Sequence, residues 1–258
     1  SLLTLLTVLC AKFTDISPIF AIFATLGLGL VCGMANGFFV SGLNLNAFIT
    51  TLATGSIYGA LTMIIASGHT VRAKEPIFDF IGRGNVLFLP FSVVLTIIVI
   101  IIFQFVLKRT VYGQRLYAIG ANPKASRYSG IHSRRDVFVT YALSGLCCGL
   151  AAIVLIARSE SANPQLASGQ EMDIILAVVL GGTSVLGGKG SVLGSVVGFL
   201  FIGFMTAGFT ALGFNEYTRQ VIMGVVLVIA LAIDIASEKG VSPGKALLRI
   251  FRKGAGNA

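Results

Sequence analysis

Apolar positions along this chain run in unbroken blocks and do not alternate. Between Ile16 and Val71 there is no Asp, Glu, Lys or Arg. A helix needs about 20 mostly apolar residues to cross the hydrocarbon core of a bilayer, so this stretch predicts two crossings with a turn at 41–46. Further crossings are predicted at 84–107, 137–157, 174–186, 191–212 and 221–235. The core of the first of these, "LTIIVIIIFQFVL", has only Gln104 as a strongly polar interruption. Residues 1–14 read as the tail of one more span. Strands of a transmembrane barrel would alternate over ~10 residues with a polar lumen face. Continuous runs fit helices, which satisfy their backbone polar groups locally in lipid. The expected fold is all-α: a polytopic transmembrane helical bundle of about eight spans.

Composition agrees. The chain is 55% hydrophobic and 11% charged, against ~25% charged residues in a soluble domain. The cysteines Cys10, Cys32, Cys147 and Cys148 lie inside apolar runs without metal-ligand spacing, and read as small buried hydrophobes. With no charged region ahead of the first apolar run, a signal peptide is not expected, and the chain reads as a fragment lacking its beginning.

The net charge of +9 invites a nucleic-acid reading, which the placement of the charges removes. If the spans alternate in direction, 108–136, Lys189 and the C-terminal region share one side, and thirteen of the nineteen Lys and Arg residues fall there. Seven of the ten acids (Asp15, Glu75, Asp79, Glu160, Glu171, Asp173 and Glu216) fall on the other. Lys and Arg in short loops mark the cytoplasmic side, so the basic island "YAIGANPKASRYSGIHSRRD" at 117–136 is expected in the cytoplasm, with the C-terminus. The chain divides into a transmembrane domain, 1–236, whose cytoplasmic loop spans 108–136, and a basic tail, 237–258. In the tail, "SPGKALLRIFRK" reads as an amphipathic helix on anionic membrane lipid.

Among the 31 glycines, pairs four apart recur in the apolar runs: Gly29/Gly33, Gly33/Gly37, Gly55/Gly59, Gly145/Gly149 and Gly194/Gly198. Small residues let helix backbones approach in lipid, so these pairs predict tight helix packing.

Chemistry finds little footing. His69 and His132, the only histidines, are expected on opposite sides of the membrane. "GGTSVLGGKGS" at 181–191 is not a P-loop, because Gly190 follows Gly188-Lys189 where a Ser or Thr hydroxyl is needed for magnesium. It reads as a tight cytoplasmic turn. No catalytic, metal or cofactor site is expected in this chain. Glu171 and Asp173 at the outer end of a span are either helix-start carboxylates favoured by the dipole or a polar lip of a solute pathway. Asn46, Thr50, Thr51 and Thr54 lie on one span at near-helical spacing. They either line a polar path for hydroxyl-rich solutes or hydrogen-bond between helices.

Three blocks, "NGFFVSGLNLNAFITTLATGSIYGAL" (36–61), "YAIGANPKASRYSGI" (117–131) followed by "YALSGL", and "SGQEMDIILAVVLGGTSVLGGKGSVLGSVVG" (168–198), together resemble the ribose-type sugar permeases of ATP-binding-cassette importers. Their order and spacing match over nearly the whole chain. There are two departures: the glycine- and Asp-bearing segment that family members carry near their start is absent, which implies a chain short of one or two spans at its beginning, and Ala47 stands where a proline often precedes the Phe of the first block. The resemblance implies roughly ten helices in each of two paired subunits, against the ~20-residue spans counted here. It implies a second permease subunit, identical or paralogous, a cytoplasmic ATPase carrying ATP and magnesium, and an extracytoplasmic sugar-binding protein. By matching position, Gly120, Asn122, Ala125, Ser129, Gly130 and Ile131 belong to the loop that contacts the ATPase. The expected function is import of a monosaccharide or similar small polyhydroxy solute across a bacterial inner membrane, without chemistry on the solute. The rival is an ion-coupled secondary transporter, which usually keeps an ionisable relay near the midplane. Here the span centres are almost bare of charge.

Overall fold

A computed structural model describes residues 1–73, 76–86, 89–164, 170–185 and 187–238. In chain order the elements are α1 (Leu2–Thr14), α2 (Pro18–Gly37) running into a π-helical turn (Phe38–Gly42), α3 (Ala47–Ala66), β1 (Val71–Arg72) and α4 (Pro76–Arg83). Then come β2 (Asn85–Val86), β3 (Leu89–Pro90), α5 (Phe91–Arg109), α6 (Val111–Ala121), α7 (Pro123–Tyr128) and α8 (Ser133–Ser159). The last are β4 (Ser161–Ala162), α9 (Gln170–Leu180), α10 (Val192–Ala211) and α11 (Glu216–Glu238). The four strands are two-residue ladders, so the fold is an all-α membrane bundle.

Among the described residues, five helical stretches are long and apolar enough to cross a membrane: Pro18–Gly42, Ala47–Ala66, Phe91–Arg109, Ser133–Ser159 and Val192–Ala211. They match five of the expected spans. The other three expected spans fall on shorter helices: Leu2–Thr14, Tyr217–Ala232 within α11, and the 11-residue α9. Eleven helical residues rise only ~16 Å, about half the hydrocarbon thickness. The span expected at 174–186 is instead closed at Leu180 by Gly181 and Gly182, the latter at φ +81°. The span expected from Gly84 starts at Phe91, because Asn85–Val86 and Leu89–Pro90 pair as a hairpin first.

The chain folds as two compact units. The first contains 1–102 and 125–168. At its centre α1 is buried, with Leu6, Val8, Cys10 and Ala11 fully enclosed. Ile153, Ile156 and Ala157 of α8 and Phe78 of α4 join the same core. The defining seam runs between α2 and α8. A methyl group placed on Gly29 would lie 2.5 Å from the Gly145 carbonyl oxygen, and one on Gly149 would lie 3.1 Å from that of Thr25. Gly33 and Gly37 face Tyr141 and Phe138 of α8 along the same line. The backbones are therefore in direct contact, as the glycine spacing predicts. Gly55 and Gly59 share that spacing yet face open space, or touch only Ser1.

At the end of α8 the first unit is closed by an antiparallel pairing of β1 with β4, Val71 opposite Ala162 and Arg72 opposite Ser161. Ala73 N–H donates to the Glu160 carbonyl (3.1 Å), and Arg83 pairs with the Glu160 carboxylate at 2.6 Å.

The second unit contains 103–124 and the chain from 169 onward. Its core is Leu176 and Ala177 of α9, Ile202 of α10 and Met223 of α11. α9 and α10 meet through small residues again, since methyl groups on Gly194 or Gly198 would collide with the carbonyls of Gly181 and Ala177. Within the second unit Phe105 of α5 and Phe199 and Phe204 of α10 are bulky, apolar and exposed, the kind of surface that a bilayer covers.

Candidate functional site

The basic island folds as two short helices. α6 was not expected as a helix. It starts on Thr110, whose hydroxyl accepts from Gly113 N–H at 3.3 Å, capping a free backbone donor. Gly113 itself packs against the Leu107 carbonyl. At the end of α6, Asn122 turns the chain, its Oδ1 accepting from Lys124 N–H at 3.1 Å. This Asx turn, with Pro123 at the first helical position, starts α7, as the "NP" signal predicts.

Beyond Lys124 the chain belongs to the first unit. There α7 closes on Gly130, which adopts φ +78° with nothing within reach of a Cβ. The Gly130 N–H donates to Arg127 O (3.0 Å) and the Ile131 N–H to Ser126 O (3.1 Å), the bonding of a glycine-terminated helix. The Ser129 hydroxyl donates to Ala125 O at 3.1 Å. Asn122, Ala125, Ser129 and Gly130 are exposed and Ile131 half-buried. Tyr128 is 93% exposed. Of the expected loop residues, Gly120 differs. It packs against the backbone of Gly187 and Gly188, with Gly188 Cα 3.1 Å from where its Cβ would be.

The glycine-rich segment, expected as a tight turn, joins α9 to α10. Gly187 and Gly188 adopt φ +98° and +75°. The Ser184 N–H donates to Lys189 O at 3.1 Å, closing the turn, and the Tyr117 hydroxyl of α6 donates to Gly190 O at 2.6 Å. Ser191 then caps α10 through Gly194 N–H at 3.0 Å. Asp234 Oδ2 accepts from Ser184 Oγ (3.1 Å) and Val185 N–H (3.2 Å). A cleft of about 360 Å³ lies beside the turn, lined by Leu107, Leu116, Tyr117, Thr183 and Ser195 among others. Tyr117, Gly188 and Asp234 did not emerge from sequence reasoning. The "GG-x-G" composition marks the turn but not what it rests on.

The expected path residues have separate surroundings. Asn46 caps α3, its Oδ1 accepting from Phe48 and Ile49 N–H at 3.0 and 3.3 Å. The Thr51 and Thr54 hydroxyls donate to Ala47 O (2.9 Å) and Thr50 O (3.1 Å) within the same helix. Thr50 and Thr54 are buried. A hydroxyl bonded one turn back keeps acceptor capacity, so these groups can still receive a donor. In the second unit, Asp173 in the first turn of α9 pairs with Arg219 of α11 at 2.8 Å, both side chains mostly buried. Glu171, one residue before Met172, is exposed. Asn46, Thr50, Thr51 and Thr54 therefore lie in one unit and Glu171 and Asp173 in the other. Among the described residues no group of three or more His, Cys, Asp or Glu could hold a metal ion.

Comparison with known proteins fits this architecture. The family model described as "Branched-chain amino acid transport system / permease component" matches residues 2–231. The chain is 32% identical over 246 residues to the fructose import permease protein of Rhizobium meliloti, covering 91% of this chain and 68% of that protein. It is 35% identical over 224 residues to the ribose import permease protein of Escherichia coli strain K12, covering 85% and 70%. It is 36% identical over 204 residues to the L-arabinose transport system permease protein of the same strain, covering 79% and 62%. No solved structure matches the chain. With the family model spanning nearly all of its length, and with apolar helices fit to cross a membrane, the chain belongs to the branched-chain amino acid transport system permease-component family, as a multi-pass permease subunit of the ATP-binding-cassette importer class and not an enzyme.

Proposed function

We propose that this permease subunit moves a monosaccharide or similar small polyhydroxy solute inward across a bacterial inner membrane. ATP hydrolysis on a separate cytoplasmic ATPase, which carries the ATP and magnesium, supplies the work. The observation that carries the reading is the chemistry shared by its relatives: the ribose, fructose and L-arabinose permeases all bear the names of monosaccharides. An extracytoplasmic sugar-binding protein delivers the solute, and a second permease subunit, identical or paralogous, completes the pathway. The permease domain is 1–236. Residues 239–258, most of the expected basic tail, lie outside the described residues.

The coupling residues in this reading are Gly120, Asn122, Ala125, Ser129, Gly130 and Ile131 of the cytoplasmic loop. Four of these are exposed around a short helix bearing Lys124 and Arg127, a form on which a soluble protein can dock. This loop and the C-terminus face the cytoplasm, following the Lys and Arg bias. Asn46, Thr50, Thr51, Thr54, Glu171 and Asp173 supply hydrogen-bonding groups toward the solute path, Asp173 through its pair with Arg219.

The test is uptake of labelled ribose by cells expressing the chain with its cognate ATPase and binding protein, with fructose and L-arabinose as competitors. Uptake is expected to be saturable and lost when the ATPase cannot hydrolyse ATP. Uptake that persists without the ATPase and collapses with the proton gradient would overturn the reading in favour of ion coupling.

A further inference from the structure

We propose that the glycine-rich link between α9 and α10, through Ser184, Val185, Gly187, Gly188 and Gly190, passes movement of α6 to α9 and α11, and that Tyr117, Gly188 and Asp234 are its positioning residues. The inference rests on the reading of the adjoining loop as the ATPase contact, and concerns only residues of the second unit.

Three observations carry it. First, the turn sits on α6 backbone to backbone. A Cβ on Gly188 would lie 2.7 Å from Ala121 Cα, and a Cβ on Gly187 would lie 3.0 Å from Gly120 O. With no side chain between the two backbones, a shift of α6 is not absorbed by a change of rotamer. Close-packed interiors transmit such displacements. Second, the contact is fastened near each side. The Tyr117 hydroxyl, three residues before Gly120, donates to Gly190 O at 2.6 Å, and Asp234 holds Ser184 and Val185 at the start of the turn. Third, α11 is tied to α9 at both ends: Asp234 binds the turn that follows α9, and Arg219 binds Asp173 in the first turn of α9. The 15 residues from Arg219 to Asp234 span roughly 22 Å of helix. A push on the turn therefore reaches the far end of α9 through two rigid rods.

The experiment is hydrogen–deuterium exchange on the full importer, permease with ATPase, compared without nucleotide and with magnesium, ATP and vanadate. In the wild type, nucleotide should alter exchange both at 122–131 and at 170–173. Tyr117→Phe removes one hydroxyl and keeps the ring. It should leave the response at 122–131 intact, abolish that at 170–173, and speed exchange of the 187–191 amides about fivefold without nucleotide, the effect of one hydrogen bond. Asp234→Ala should abolish the response at 170–173, and Asp234→Asn, which retains an acceptor, should restore it. A nucleotide response at 170–173 that survives in both Tyr117→Phe and Asp234→Ala overturns the proposal. So does a wild type that responds at 122–131 but not at 170–173. Absence of any response at 122–131 in the wild type sinks the ATPase-coupling reading itself, and the relay with it.

Discussion

Asp173 Oδ2 lies 2.8 Å from Arg219 Nη1, joining two helices from residues 46 positions apart in sequence. Both side chains are mostly enclosed, so the pair is better shielded than a surface ion pair, and removing one partner takes a charge-assisted bond from the other. Asp173→Asn and Arg219→Ala should each lower the thermal stability of the purified protein in detergent by an amount corresponding to ~1–3 kcal/mol. The double variant should cost less than the sum of the two. Strict additivity in that cycle would show that the pair carries no coupling.

The α2–α8 seam separates glycines that must stay small from glycines that need not. Gly33→Leu or Gly145→Leu places a side chain where another backbone already lies. These variants should yield little folded protein, as judged by the monodisperse peak on size-exclusion chromatography. Gly59→Leu faces open space and should give a near-normal yield. Equal yields from the three would contradict the seam.

Asn46 supplies a test of cap against path. If its main role is the N-cap seen in α3, Asn46→Asp and Asn46→Ser keep it and Asn46→Ala loses about 1 kcal/mol of stability. If it also faces solute, Asn46→Asp should raise the KM for uptake several-fold while leaving the melting temperature unchanged. Measuring both quantities on the three variants separates the roles.

Gly130 has φ +78° with open space around it. A non-glycine residue there carries a cost of roughly 1 kcal/mol from the left-handed backbone alone, which a folded chain tolerates. Gly130→Trp should therefore reach the membrane at near-normal levels but abolish uptake, because the ring covers the coupling face. Normal transport by this variant in whole cells would remove Gly130 from that face.

Orientation can be measured by labelling single cysteines in a variant whose four natural cysteines are replaced. Lys124→Cys should react with a membrane-impermeant maleimide only from the cytoplasmic side, and Glu160→Cys only from outside. The reverse pattern would invert the assignment drawn from Lys and Arg.

Some of this protein was legible in its sequence for a physical reason: lipid leaves few choices. A continuous apolar run is helical, because only helices and closed barrels satisfy their backbones in a bilayer and barrel strands would alternate. The class, five of the spans and the Asn122–Pro123 start and Gly130 end of α7 all follow from local rules. The glycine motif predicted close packing but not its partner, so Gly29 and Gly33 meet α8 whereas Gly55 and Gly59 face open space. The length of α9 was misjudged, because an apolar run continues past Leu180 in sequence while Gly182 ends the helix in space.

What only the tertiary structure decided is which distant groups meet. Arg219 finds Asp173, Asp234 finds Ser184 and Tyr117 finds Gly190, 73 residues away in the chain. Periodicity and capping depend on neighbours within a few positions, so the sequence alone carries them. Long-range pairs depend on how rigid helices cross, and that crossing is set by the sum of many small packing contacts, which no short stretch of sequence contains.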